Sequence, residues 1–343
     1  MKIAIDNLKT LENIKTDADI IYVYENEKLE DLLKTNLHCI KKDHIDFVDI
    51  NATDYDLFCL KKVDKNKEIK PIEDKQNKFA IIVPNYNNNH GNIEGKTFFQ
   101  KCIESILNQT YRNFDLIIID DLSEDASVET VKKYQEKDNR VHLIQNKRKR
   151  YNGGSRNVGI DYALKNLDFN YFCFLDSDDW WADNEVLETI NSLLDGHELL
   201  ALSCKYLGVN GKHISIINNY DDLFSLTQNM WCTAWERVIR KDKIVYFCEN
   251  TIMEDRVWSY RLADNLDINN VITCPKICYV WNRTNSNSVS IKKDELWQAS
   301  AYCHIGHQMQ LLTELKHTEV KPLIEKRLND CINKVSRGVY EQR

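Results

Sequence analysis

Phe79-Ala80-Ile81-Ile82-Val83 is a continuous apolar run that stops at Pro84. Nothing in it is polar, so neither face of a strand built from it could meet water. The run predicts a strand buried on both faces, as in a parallel sheet covered by helices. A polar loop follows over residues 85–95. Then Phe98, Phe99, Cys102, Ile103, Ile106 and Leu107 recur at helical spacing, which predicts an amphipathic helix.

The same alternation continues outward. Phe114–Ile119 reads as a second buried strand ending in Asp120-Asp121, and Ser127–Tyr134 reads as a helix. Val141–Ile144 is a third strand. Gly153-Gly154-Ser155 opens a helix whose apolar face is Val158, Tyr162 and Leu164. Tyr171–Leu175 is a fourth strand ending in Asp176-Ser177-Asp178-Asp179, and Asp183–Leu194 is the next helix. Strands and helices at this spacing are the signature of right-handed parallel units, whose ligands bind beyond the carboxyl ends of the strands. Three polar clusters, Pro84–Asn87, Asp120-Asp121 and Asp176–Asp179, are expected at that one edge.

On the N-terminal side, Ile20–Tyr24 and Asp54–Leu60 read as strands and Glu27–Leu33 as helical, while Lys61–Lys78, dense in charge and holding Pro71, reads as a solvated linker. Beyond residue 195 the pattern is mixed. Leu199–Leu207 and His213–Ile217 read as strands around a Gly208–Gly211 turn, Glu254–Ala263 as a helix and Ile277–Trp281 as a strand. The tail is helical, with one apolar stripe through Val320, Leu323, Ile324, Leu328, Ile332, Val335 and Val339. That stripe suits a core helix, a dimer contact or a membrane-surface contact.

The 343 residues suggest two domains, or one large domain with extensions. A net charge of −7 argues against coating a nucleic acid. No apolar run reaches the ~18 residues of a membrane-spanning helix, and the first residues lack a signal-peptide core, so a cytoplasmic protein is expected. The eleven cysteines are odd in number and scattered, with Cys274 and Cys278 the closest pair; reduced thiols are expected rather than disulfides or a zinc site.

Asp176, Asp178 and Asp179 would repel one another unless a cation or hydrogen-bond donors offset them. Oxygen-only ligands suit Mg, Mn or Ca rather than zinc, and a strand end is a natural seat for a metal that also holds a diphosphate. An acidic cap for the following helix is the alternative, and the same choice applies to Asp120-Asp121 before the Ser127 helix. The Gly153-Gly154 loop opens a helix whose first amides favour anions. Glu254-Asp255 opens another, where acidic residues suit the macrodipole or supply a general base. The basic run Lys147–Arg150 reads as a solvated face or an anion contact.

In order and spacing, residues 78–290 resemble the family 2 glycosyltransferases of the GT-A fold. The resemblance is carried by Ile82–Asn87, Cys102–Tyr111, Phe114–Asp121, Gly154–Gly159, Phe174–Asp179, Met253–Arg256, Tyr279–Arg283 and Ser286–Ser290. It implies a mostly parallel twisted sheet flanked by helices, with a small N-terminal α/β extension (1–77, with the linker), the GT-A domain (78–290, a nucleotide half to 195 and an acceptor half from 196) and a helical C-terminal region (291–343). It implies a nucleotide-diphosphate sugar as donor, a UDP-sugar first among them, and transfer of a hexosyl or N-acetylhexosaminyl group with inversion to a glycan hydroxyl in surface-polysaccharide synthesis. It implies Pro84 and Tyr86 flanking the base, Asp121 contacting it with help from Arg156, Asp176 facing the ribose, Asp178 holding Mn or Mg, and Asp255 as base. A homo-oligomer through the C-terminal helices and a peripheral contact with the inner face of a membrane are further expectations. A nucleotidylyltransferase would want a Gly-rich loop with a Lys where Asn85–His90 stands; a non-catalytic sugar-nucleotide-binding module would not need all these carboxylates. Two departures stand out: the loop 87–95 is long and Asn-rich, and Leu122 occupies a turn position where the family often has Gly or Asn.

Overall fold

The computed structural model describes residues 2–5, 20–23, 56–60, 76–148, 150–208, 213–217, 233–251, 254–288 and 295–336. In chain order the strands and helices are β1 (Lys2–Ile5), β2 (Ile20–Val23), β3 (Asp56–Leu60), β4 (Phe79–Asn85), α1 (Phe98–Leu107), β5 (Phe114–Asp120), α2 (Ser127–Gln135), β6 (Val141–Gln145), α3 (Tyr151–Asn166), β7 (Tyr171–Phe174), β8 (Trp180–Trp181), α4 (Val186–Leu193), β9 (Leu199–Leu207), β10 (His213–Ile217), β11 (Arg237–Arg240), α5 (Glu254–Asp264), β12 (Val271–Asn282), α6 (Glu295–Glu314) and α7 (Lys321–Ser336). The described strands form one sheet in the order β1-β2-β3-β10-β9-β11-β7-β4-β5-β6, with β12 running parallel to β9 and β8 pairing antiparallel with β12.

The parallel part is β7-β4-β5-β6. It forms because its inner strands are apolar on both faces, with Asp115 of β5 paired to Lys78 and to His142 of β6. Phe79, Ile81 and Val83 pack with Leu116 and Ile118 in one core, covered by α1 and α4 through Phe99, Ile103, Ile106, Val186 and Ile190. Ala80 and Ile82 pack with Ile117 and Ile119 in a second core, covered by α3 and α5 through Ile160, Ala163, Trp258 and Leu262. The period-two alternation of a strand thus feeds two buried layers, each helix contributing one apolar face. Gly159 lets α3 lie directly on the sheet, since a Cβ there would stand 2.7 Å from Ile82 Cγ2. α1 starts at a capping box: Thr97 Oγ1 accepts from the Gln100 amide, and Gln100 Oε1 accepts from the Thr97 amide.

From β7 outward the sheet turns antiparallel, through β11 and β9 to β10. β3 joins the same sheet by parallel pairing with β10. A third core, of Cys248, Val257, Tyr260, Leu311, Leu315, Val320 and Ile324, fastens α6 and α7 onto α5. Val320, Ile324 and Leu328 of the tail stripe are buried, as a core helix requires, and Ile332 is exposed. Among the described residues no helix is long and apolar enough to cross a membrane. Cys102, Cys173, Cys204, Cys248, Cys274, Cys278 and Cys331 are buried free thiols, and Cys303 is an exposed one.

Several boundaries differ from the sequence reading. α3 starts at Tyr151, two residues before the glycine pair, and α4 starts at Val186 rather than Asp183. β12 begins at Val271, not Ile277; Pro275 and Lys276 break its apolar run, and the register shifts between Thr273 and Tyr279 absorb them. The two-residue β8 was not foreseen. The expected helix Glu27–Leu33, residues 61–75 of the linker, 209–212 of the turn and Val339 lie outside the described residues.

Candidate functional site

β4, β5 and β7 are parallel, so their carboxyl ends share one edge. At the first of these, Pro84 is buried opposite Ile119 and Tyr86 stands 46% exposed. The Asn-rich loop that follows is stitched to the turn after β5. Asn85 Nδ2 donates to Ser123 Oγ at 3.2 Å, the Asn87 amide to the same oxygen at 3.0 Å, and Asn87 Oδ1 accepts from the Glu124 amide at 2.7 Å. Within that turn Leu122 takes φ 67°, the left-handed conformation that suits Gly or Asn. The turn keeps its shape despite the leucine because the Ser123 amide is held by Asp120 Oδ2 at 3.1 Å.

Asp121 is buried at the end of β5. Its Oδ1 accepts from Asn146 Nδ2 and from the Arg150 amide, its Oδ2 from the Tyr151 amide, each at 2.8 Å. A carboxylate thirty residues upstream therefore caps α3, satisfying orphan amides and meeting the positive end of the helix dipole. This is why the helix begins at Tyr151. Gly153 serves a close approach rather than an open anion loop: a Cβ there would lie 2.3 Å from the Cys248 carbonyl oxygen. Of the basic run, Arg148 and Arg150 pair with Glu249.

At the end of β7 the acidic cluster divides its labour. Asp179 is buried, with Oδ2 accepting from the Tyr279 hydroxyl and Oδ1 from the Asn282 amide, both at 2.7 Å. Burial and the charges of Asp178 and Asp176 push its carboxyl well up. The Tyr279 oxygen also accepts from the Asp176 amide at 3.1 Å. Asp178 Oδ2 accepts from Asn285 Nδ2 at 2.7 Å, and Asn282 Nδ2 donates to the Asp178 carbonyl. Burial, and then the neighbouring Asp176, push the Asp178 carboxyl up to about 6. Asn285 in turn meets Asn88 Oδ1 at 3.2 Å and His90 Nε2 at 3.1 Å, so the Asn-rich loop braces the same side chain. Tyr279, Asn282, Asn285, Asn88 and His90 were given no role from sequence. Tyr279 and Asn282 belong to β12 and Asn285 lies three residues past its end, so the signal for these three was their clustering at the end of that strand.

The acids that open α5 meet this edge through Arg156. Arg156 is 3% exposed; its Nη1 donates to Glu254 Oε1 and its Nη2 to Asp176 Oδ1, each at 2.6 Å. Its guanidinium also lies 5.3 Å from the Phe247 ring centre. Burial pushes the Glu254 carboxyl up to about 7 against the pull of Arg156. Burial raises Asp255 too, while Arg156 and Arg256 draw it down. Asp255 is less buried than Glu254. Of the residues expected at the site, Asp176, Arg156 and the Glu254-Asp255 segment are thus joined directly. Asp178 lies beside them, and Tyr86 and Asp121 occupy the neighbouring strand ends. Among the described residues no group of three His, Cys, Asp or Glu side chains forms a metal cage.

Residues 80–261, more than half of the chain, match the sequence model of the family described as "Glycosyl transferase family 2". The chain belongs to glycosyl transferase family 2. As a family 2 member it is similar to glycosyltransferase GlyA of Streptococcus pneumoniae serotype 4, at 37% identity over 116 residues, 33% of this chain and 14% of that protein. It is also similar to an uncharacterized glycosyltransferase of Haemophilus influenzae, at 30% over 149 residues, 43% of this chain and 55% of that one. A third is the poly(ribitol-phosphate) beta-N-acetylglucosaminyltransferase TarS of Staphylococcus aureus, at 30% over 142 residues, 40% of this chain and 22% of TarS. The matches span less than two thirds of each relative's own length. Among solved structures, S. aureus TarS 1–349 in complex with UDP-GlcNAc superposes with TM-score 0.55 at 20% identity, covering 74% of this chain and 72% of that one. The mannosyltransferase PcManGT of Pyrobaculum calidifontis, with GDP-Man and Mn2+, gives 0.50 at 14% identity, covering 79% and 78%. These likenesses bear out the GT-A-type fold.

Proposed function

We propose that this family 2 member is an inverting glycosyltransferase that moves a hexosyl or N-acetylhexosaminyl group from a UDP-sugar to a hydroxyl of a cell-surface glycan or related polymer. The observation that carries the reading is the Arg156 bridge, which brings a donor-side carboxylate, Asp176, and the Glu254-Asp255 segment into one site. The name of TarS, with N-acetylglucosamine as the group moved and poly(ribitol-phosphate) as acceptor, and its complex with UDP-GlcNAc support the donor and acceptor classes.

In this mechanism Tyr86 and Pro84 border the base, Asp121 and Asp176 stand where base and ribose bind, and Asp255 takes the proton from the acceptor hydroxyl as it attacks the anomeric carbon opposite the diphosphate. A base placed in this way contributes about 10²–10⁴ in rate. The donor chemistry at Asp178 fits a hard divalent ion: a carboxylate oxygen, held by Asn285 and crowded by Asp176, gains from a nearby positive charge. Mn or Mg bound there would supply charge that offsets the growing charge on the departing diphosphate. The domain limits 78–290, the C-terminal homo-oligomer, the cytoplasmic setting and the contact with a membrane face stand as parts of the same proposal. The test is a thermal-shift screen with UDP, GDP, CDP and dTDP, each with Mn or Mg, followed by nucleotide release from the matching sugars. UDP is expected to stabilise the chain by about 2.7 kcal/mol at a hundred times its Kd. No shift with any nucleotide sinks the donor assignment.

A further inference from the structure

We propose that Arg156 is a positioning residue that ties the donor edge to the acceptor base through Glu254, rather than a contact of the nucleotide. This role rests on the glycosyl-transfer reading above, and it gives Glu254 a task that the expected site lacked.

Three observations carry it. First, both terminal nitrogens of Arg156 are already engaged, one with Asp176 and one with Glu254, at 2.6 Å each, and the side chain is almost wholly buried. A planar fork with two carboxylates across it fixes direction as well as distance. Glu254 is the chain neighbour of Asp255, so holding Glu254 sets the first turn of α5 and with it the direction of Asp255.

Second, the whole face of α3 around Arg156 is built to press on this segment. Positions 153, 156 and 157 lie on one side of the helix. A Cβ on Gly153 would stand 3.0 Å from Glu254 Cβ and Cγ. Asn157 exchanges two hydrogen bonds with the Phe247 backbone, Nδ2 donating to the carbonyl at 3.0 Å and Oδ1 accepting from the amide at 2.8 Å. The bridge therefore spans two elements already held in register.

Third, the arrangement is poor as a stabilising device. Arg156 Nε is buried without an acceptor, which costs about 1–3 kcal/mol. Buried ion networks are commonly no better for stability than apolar packing. The charges facing one another are Asp176 from the β7 end, Arg156 from α3, and Glu254, Asp255 and Arg256 from α5. Without Arg156, three carboxylates share this space, and of these two arginines Arg256 is the one left beside them. The carboxyl of Asp255 then rises further, and the base is protonated, and idle, up to a higher pH.

The experiment compares wild type with Arg156→Lys, Arg156→Gln, Glu254→Gln and the double variant Arg156→Gln/Glu254→Gln. UDP affinity in Mg2+ is read by calorimetry, and kcat, KM and their pH dependence by UDP release from the donor sugar that the screen identifies. Arg156→Lys and Glu254→Gln are expected to keep UDP affinity within about two-fold while kcat falls by at least about ten-fold, since an ångström of misplacement costs about 10²-fold. The acid limb of kcat moves to higher pH in Arg156→Gln, and the double variant is no worse than the worse single one, as for residues that act as one unit. Should Arg156→Gln fail to fold, Glu254→Gln and Arg156→Lys still decide. Turnover in wild type combined with a ten-fold loss of UDP affinity and an unchanged kcat in Arg156→Lys makes Arg156 a nucleotide contact and overturns the inference alone. So does wild-type kcat in both Arg156→Lys and Glu254→Gln. Absence of turnover in wild type with every donor overturns the glycosyl-transfer reading and this role with it.

Discussion

Two acidic strand ends lie at the same edge of the sheet and meet opposite fates. At the end of β5, Asp121 is given three donors, two of them backbone amides, and its charge is spent on starting α3. At the end of β7, Asp178 has one side-chain donor and a like charge beside it, and its carboxyl is pushed up to about 6. The same residue type at neighbouring strand ends is satisfied in one place and crowded by like charge in the other. Unmet electrostatic demand, rather than acidity as such, marks where chemistry is expected.

The sharpest way to use that contrast starts at the acid farthest from the strand ends. Asp255→Asn keeps size and polarity but removes the base, so transfer should fall by about 10²–10⁴ with UDP affinity nearly unchanged. Paired kinetics and calorimetry on this variant and on Glu254→Gln check it, with Glu254→Gln costing clearly less. Near-normal transfer in both would move the base elsewhere and leave this segment an acidic helix start.

Asp178→Ala should abolish the metal dependence of turnover and leave the fold intact. The sign of its pH effect follows from the raised carboxyl. A group that binds its proton more tightly when folded stabilises below its unfolded value, about 3.9, and loses that contribution as pH rises through about 6. Metal-free wild type should therefore lose stability relative to Asp178→Ala between about pH 4 and 6, and Mg2+ should restore it. Identical melting curves across that range would mean that the acidic end of β7 is as satisfied as that of β5.

Asp121→Ala should do the reverse and act first on the fold. It strands two helix-start amides and the Asn146 amide, a loss of about 3 kcal/mol by denaturant unfolding. A full-stability variant would break the contrast from the other side. The smallest effect is expected at Leu122→Gly. The left-handed conformation costs a leucine about 1–2 kcal/mol, glycine's freedom in the unfolded chain returns part of that, and the leucine is 44% exposed, so a gain of up to about 1 kcal/mol is expected. A loss would mean that the Leu122 side chain packs against something worth more than the strain.

Much of the fold was legible because it rests on local pattern. The unbroken run Phe79–Val83 and the run Phe114–Ile119, apolar apart from Asp115, announced strands covered on both faces, and both are. The acidic clusters at strand ends were legible for the same reason, since parallel topology sends them to one edge. What could not be read is whatever is settled by a partner distant in sequence. The start of α3 is fixed by Asp121, so Gly153-Gly154 misled by two residues. Arg156 was expected to help Asp121 at the base, and the two carboxylates it meets lie 20 and 98 residues further along the chain. The division between Asp178 and Asp179 depends on Tyr279, Asn282 and Asn285, which no spacing near residue 178 reveals.

The brace on Asp178 also carries a clock. Its donor, Asn285, lies 107 residues downstream. Translation at about 5–20 residues per second therefore leaves roughly 5–20 s between synthesis of the acidic loop and synthesis of its brace. During that interval the nascent chain holds a cluster of carboxylates without the strand that arranges them. The brace is completed only when β12 is laid down beside β9, so the arrangement of the acidic cluster waits on one of the last described strands to emerge.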